Sequence, residues 1–216
     1  MRAFVARVQA DERRARVRVE VRRPLAHQVR SPQHAVRAGR YGGGLFTQTL
    51  VRVAPGADGV LWAPYLMGER TPHLDPHARA ALVGLNASHR RAHVVRAILE
   101  GVAFSLRDTL TIFAEMNVPV ESIRLGGGGA RSKLWRQIQA DVYGREVELV
   151  EADEGAAYGA ALLAGVGGGG WGSVEEACAA SVRVRERVAP HEETARLMGE
   201  RYEAFQKLYP ALRRVA

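Results

Sequence analysis

Cysteine is almost missing: Cys178 is the only one in 216 residues, which excludes a disulfide framework and any zinc site built on paired cysteines. Lysine is nearly as scarce, with only Lys133 and Lys207. No apolar run approaches the roughly 20 residues of a membrane span, so no membrane partner is expected. The opening Met1-Arg2-Ala3-Phe4 has no signal-peptide core. A cytoplasmic chain is the expectation. What is present suffices for a packed interior: 47% of the residues are hydrophobic, enough for one large domain or two small ones.

The net charge of +8 is carried by one end. Residues 1–50 hold 11 arginines against 3 acids, whereas residues 51–216 balance 20 basic against 20 acidic side chains. A basic arm points to a polyanion such as nucleic acid. Against that, the segment has only Phe4, Tyr41 and Phe46 as aromatics and no recognisable binding motif. Ala15 to Arg22 alternates apolar and charged residues, as a solvent-facing strand would. Arg, Ala, Val and Gly dominate with almost no Lys, as in GC-rich coding text. Residues 1–50 are therefore read as an atypical segment, disordered or mis-framed, and residues 51–216 as the folded domain.

The chain is organised around Ser122 to Asp141. A short apolar strand (Ile123, Leu125) runs into four glycines, Gly126 to Gly129, and then into a helix with Leu134, Ile138 and Val142 at i, i+4, i+8. Glycines let a flat or anionic ligand lie against the backbone, and a helix start offers free N–H groups and about half a positive charge. A nucleotide seat is thus expected. The G-x-G-x-x-G dinucleotide fingerprint fails because Arg131 stands where its third glycine belongs, and a P-loop fails because the order is Arg131, Ser132, Lys133. A ligand-free glycine turn is the competing reading.

Upstream, Gly56-Ala57-Asp58-Gly59 reads as a turn before the strand Val60 to Ala63. Pro64 to His73 reads as a polar loop held by prolines at both ends, able to present Glu69, Arg70 and His73; ordinary surface pairing of these side chains is the alternative. Asn86 and Ser88 are expected N-caps of a long helix with Val94, Ile98, Val102, Leu106, Thr109, Phe113 and Met116 on its apolar face. Gly101 inside that helix costs about 1 kcal/mol relative to Ala and implies a neighbouring backbone too close for a Cβ. Downstream, Val147 to Val150 reads as a strand, and Gly155 to Ala164 as a thin Ala-rich helix with acids ahead of it. Gly167 to Gly170 reads as a flexible link. Ser173 to Ala180 and Glu192 to Leu212 read as two surface helices, with Cys178 a small buried side chain.

Three patches from Pro55 onward resemble the C-terminal domain of the FGGY carbohydrate kinases, in particular their xylulokinase branch. They are Ala80-Ala81-Leu82-Val83-Gly84-Leu85 followed by His93 to Glu100; Gly127-Gly128-Gly129-Ala130-Arg131-Ser132 with Trp135 and Gln137; and Pro64 to His73. The resemblance implies an α/β fold, an incomplete actin-like, ribonuclease-H-like ATPase domain with a mixed sheet flanked by helices. It implies MgATP and a ketose such as D-xylulose as ligands. Gly127, Gly128, Gly129 and Ala130 would take the adenine and ribose, with Ser132 at the helix start near the nucleotide and Gly159 and Ala160 behind the same pocket. Glu69, Arg70 and His73 would face the interdomain cleft.

The resemblance also implies an Asp-x-Gly-Thr phosphate loop and a catalytic Asp in an N-terminal domain, and no D-x-G-[ST] occurs in these 216 residues. No catalytic residue or metal ligand is therefore assigned here, and the chain alone is expected to be inactive or nearly so. Two alternatives stand beside the sugar-kinase reading. One is a catalytically inactive module that holds a nucleotide or forms a homodimer; the other is nucleic-acid binding through residues 1–50.

Overall fold

The computed structural model describes residues 7–10, 17–20, 53–151 and 155–214. Of these, 53–149 and 185–214 belong to one compact unit, and 7–10, 17–20, 150–151 and 155–184 to another. In the second unit, β1 (Arg7–Ala10) pairs antiparallel with β2 (Val17–Glu20), Arg7 opposite Glu20. The alternating stretch thus contains a strand. The other expectations for residues 1–50 lie outside the described residues.

The larger unit opens with a turn at Ala57–Gly59 and an antiparallel hairpin of β3 (Leu61–Ala63) and β4 (Ala81–Val83). Helix α1 (Arg91–Glu115) follows and packs on β3. Then come β5 (Arg124–Leu125), a single 3₁₀ turn at Gly128–Arg131, α2 (Lys133–Tyr143) and β6 (Val147–Val150). β6 is the middle strand of a three-stranded sheet between β5, which is parallel to it, and β7 (Val184–Val188).

Helix α1 is as long as its periodicity predicts, but it buries a different face. The deepest residues are Ala92, Arg96, Ala97, Glu100, Gly101, Ala103, Phe104 and Asp108, while Leu106, Phe113 and Met116 of the expected stripe are exposed. Small and ionisable side chains go inside because each buried charge is matched. Arg96 Nε donates to Glu100 Oε1 at 2.8 Å and Arg96 Nη1 to the Val53 carbonyl at 3.0 Å. The Gly56 N–H donates to the same Glu100 oxygen at 3.0 Å. Burial still raises the Glu100 carboxyl above its ordinary pKa, with Arg96 opposing that shift. The N-cap expectation is also corrected. Asn86 Oδ1 accepts from the N–H and Oγ of Ser88 and closes its own turn, and the helix starts after Arg90, whose N–H donates to His93 Nδ1 at 3.0 Å.

Glycine at position 101 has the cause its sequence context implies: a Cβ there would stand 2.2 Å from the Trp62 carbonyl oxygen of β3. One turn further along α1, Phe104 joins Ile138 and Val142 of α2 and Met198, Tyr202 and Phe205 of α5 (Glu192–Gln206) in the main core. Helix α5 is therefore a core element and not a surface one. It ends at Lys207, where the short α6 (Leu208–Leu212) begins. Tyr202 donates to Asp108 Oδ1 at 2.6 Å, and the Arg107 guanidinium lies 4.3 Å over the Tyr202 ring. Arg107 Nη1 also reaches the Val142 carbonyl at 2.9 Å, joining α1 to α2.

The second unit also holds α3 (Gly155–Gly167) and α4 (Val174–Ser181), tied by Tyr158 donating to the Ser181 carbonyl at 2.7 Å. The N–H groups of Gly168, Gly169 and Gly170 donate to carbonyls at 164, 166 and 165. Gly167 to Gly170 is thus a hydrogen-bonded helix end and not a loose link. Cys178 is half-buried. Among the described residues no helix is long and apolar enough to cross a membrane.

Replacing Gly101 with Ala sets two effects against each other. Helix propensity favours Ala by about 1 kcal/mol, whereas forcing an atom into a filled core costs about 1–3 kcal/mol, and the atom met here is backbone. Gly101→Ala should lower stability in urea denaturation; a neutral or stabilised variant would contradict the packing described.

Candidate functional site

Strand β5 delivers the chain to the glycine corner at the edge of the three-stranded sheet. Gly127 has φ 75°, in the region that favours glycine, and its carbonyl accepts from the Ala130 N–H at 3.1 Å to form the 3₁₀ turn. Gly126 to Gly129 are all exposed. A Cβ added at Gly126, Gly127 or Gly128 meets nothing within 4 Å, so packing against the described residues does not explain these three glycines. At Gly129 the added atom would lie 3.3 Å from the Trp135 ring, which stands half-buried beside the corner. Three successive peptide faces are thus left bare to the outside.

Ser132 is the N-cap of α2, and its Oγ accepts from the Trp135 N–H at 3.3 Å. That satisfies one of the donors left over at a helix start; the N–H groups of Lys133 and Leu134 have no intrahelical partner by the geometry of the helix. Helix α2 is held from below. Asp141 accepts from Gln137 Nε2 at 2.9 Å and from the His191 N–H at 2.7 Å, and Arg136 donates to Glu186 of β7 at 2.7 Å. The corner therefore has a fixed floor and an open top. Gly159 lies half-buried in α3 of the other unit, where an added Cβ also meets nothing within 4 Å, and Ala160 beside it is exposed.

The loop carrying Glu69, Arg70 and His73 folds back on itself. Glu69 accepts from the Thr71 N–H at 2.6 Å and the His73 N–H at 2.7 Å, while its own backbone exchanges two 2.8 Å hydrogen bonds with Asp75. Its carboxylate shapes the loop. Arg70 is exposed and lines a shallow hollow of about 340 Å³ with Met67 and Pro76. The His73 ring stacks on Tyr209 at 3.7 Å between centroids, with its Nε2 3.5 Å from the Tyr65 hydroxyl. Burial pushes the Tyr65 phenol well above its ordinary pKa, so it keeps its proton. Tyr209 in turn donates to Asp75 Oδ2 at 3.0 Å. Sequence reasoning missed Asp75, Tyr65 and Tyr209, because a partner 134 positions away leaves no local signal.

Fold and site together define a mixed α/β domain of the actin-like ATPase class, present in part. The structural similarities agree: a crystal structure of xylulose kinase from Rhodospirillum rubrum matches with a TM-score of 0.71 and 32% identity over 84% of this chain and 36% of that one. Residues 22–168 match the C-terminal domain of the FGGY family of carbohydrate kinases, and the chain belongs to that family. The match begins inside the arginine-rich segment, ahead of the three sequence patches. Xylulose kinase of Bacillus subtilis is 37% identical over 154 residues, 71% of this chain and 31% of that protein. Gluconokinase of the same organism is 42% identical over 120 residues, 55% of this chain and 23% of that protein. The chain spans about a third of the length of the xylulose kinases it matches.

The geometry separates stability from ligand binding at the corner. Ser132→Ala should cost about 1 kcal/mol through loss of the cap. Gly128→Ala should stay within about 0.5 kcal/mol of the parent, because its Cβ enters empty space. Parallel urea titrations of the two variants check this, and equal losses would show that the corner is packed after all.

Proposed function

We propose that the chain is the C-terminal, nucleotide-holding portion of an ATP-dependent sugar kinase that transfers the γ-phosphate to D-xylulose or a related ketose. The observation that carries this is the open glycine corner at the start of α2, in a chain that belongs to the FGGY family. Residues 51–216 are the working portion in this reading. Gly127, Gly128, Gly129 and Ala130 lie along the adenosine, and Ser132 holds the helix start that faces it. Glu69, Arg70 and His73 line the sugar side.

The bare Cβ positions fit a purine, which needs a flat and uncrowded surface, while the free N–H groups of a helix start suit its polar edge or the anion beyond it. Bound MgATP supplies the transferable phosphoryl group. Among the described residues no group of three or more His, Cys, Asp or Glu side chains is placed to hold a metal, so Mg²⁺ would enter on the nucleotide's own phosphates. The similarity to a xylulose kinase and a gluconokinase supports the sugar-kinase reading.

Phosphoryl transfer depends on positioning and on charge stabilisation from both sides of the phosphate, and a general base adds about 10²–10⁴ in rate. No Asp-x-Gly-Ser/Thr is present in the 216 residues to supply the other side. The purified chain should therefore bind a non-hydrolysable ATP analogue without phosphorylating xylulose. Gly128→Val should weaken that binding at least about tenfold, roughly 1.4 kcal/mol, as read by titration calorimetry. Unchanged affinity in Gly128→Val would remove the corner from the site, and robust turnover would overturn the division of labour.

A further inference from the structure

A helix at a protein surface turns its charges to water and its apolar stripe to the core, and α1 does the reverse. Arg96 and Glu100 are buried and bonded to each other, and Asp108 is buried and accepts from Tyr202. Arg107 is held by the Val142 carbonyl and the Tyr202 ring. Between positions 102 and 114 no other residue is charged. The outward side carries Val102, Leu106, Thr109, Phe113 and Met116, and none of the five joins a core cluster of the described residues. Leu106 is 46% exposed, Phe113 39% and Met116 65%. We propose that this face is a self-association surface, on which α1 of a second copy of the chain packs antiparallel about a two-fold axis.

The five residues are spaced four, three, four and three apart, the 3.5-residue repeat of a seam that takes another helix as knobs into holes. The seam is flanked by Leu110 and Ile112, both half-buried, at places where paired helices usually carry the charges that choose a different partner. In a two-fold contact the same patch meets itself, so a charged patch would repel its own copy. This one is neutral, and an identical helix fits it. Antiparallel packing sets Leu106 against Phe113 of the second copy, leaves Thr109 beside the axis and opposes the two helix dipoles. From Val102 to Met116 the seam is about 21 Å long. Its outward half is smaller than the roughly 20–30 residues a side of a standard interface, so the dimer is reversible.

The test is sedimentation equilibrium of the full chain, where a monomer–dimer equilibrium with a Kd on the order of micromolar is expected, as for small interfaces. Phe113→Glu should weaken it at least about tenfold by putting a carboxylate in the centre of the contact. Leu106→Glu and Phe113→Lys should each weaken association alone, and an equimolar mixture of the two should associate more tightly than either, because the opposite charges meet across the seam. Gly128→Val, which tests the nucleotide corner, should leave the dimer unchanged, so the two proposals fail separately. A face already covered by another segment of the same chain would leave the parent monomeric at every concentration. That result, or association that does not stop at two, overturns the proposal on the parent chain alone, whether or not the variants fold. A dimer as tight in Phe113→Glu as in the parent, or a mixture no tighter than its components, overturns it as well.

Discussion

The contact on which the larger unit depends is the one between the middle of α1 and the backbone of β3, where Gly101 leaves no room for a side chain beside the Trp62 carbonyl. Close approach there seats the helix on the hairpin and sets the position of the residues that follow along it. Phe104, one turn further on, packs against α5, and Arg107 hydrogen-bonds the end of α2. Because α2 begins at the glycine corner, the corner's position is inherited from β3 through two helices. Such a chain of packed elements has little slack, since interiors are close-packed and a displacement of one helix is passed on to the next.

The corner itself is legible from sequence because its determinants are consecutive. Strand, glycines, serine and amphipathic helix occur within 20 residues, and each has a local physical meaning: freedom of φ at Gly127, a cap at Ser132, a core-facing row at Ile138 and Val142. The strand Val147–Val150 is legible for the same reason, its alternate residues Val147 and Leu149 being buried. Gly101 was readable as well, since a glycine in a helix interior needs a compensating close approach. The sequence does not reveal the 3₁₀ turn between the glycines and α2, which depends on backbone hydrogen bonds that any residue can make.

The rest is obscured wherever the determinant is distant or polar. The buried face of α1 includes Arg96, Glu100 and Asp108, and a hydrophobicity pattern assigns such residues to solvent; their partners, at positions 53, 56 and 202, are what allow burial. Helix α5 misleads in the same way, because its charged residues mask the buried row Met198, Tyr202 and Phe205. In the residue 69–75 loop the sequence shows a carboxylate, and only the fold shows that Glu69 spends both oxygens on its own loop's N–H groups. A carboxylate engaged in this way holds a backbone in place; it reaches a ligand only by giving up hydrogen bonds that would then need replacing.

That internal use of Glu69 bears on how the proposed sugar kinase divides its labour. Ser132 caps the start of α2 and Asp141 anchors its far end, so both serve to fix the helix. The groups turned toward the outside are peptide faces and backbone N–H donors, which cradle a ligand without reacting with it. The glycines of this seat are exposed. Electrostatic stabilisation of a transferring phosphoryl group is strong only where water is excluded and the dipoles are fixed in advance. On the proposed reading the corner therefore contributes affinity and orientation, and the chemistry waits on a second surface closing over it.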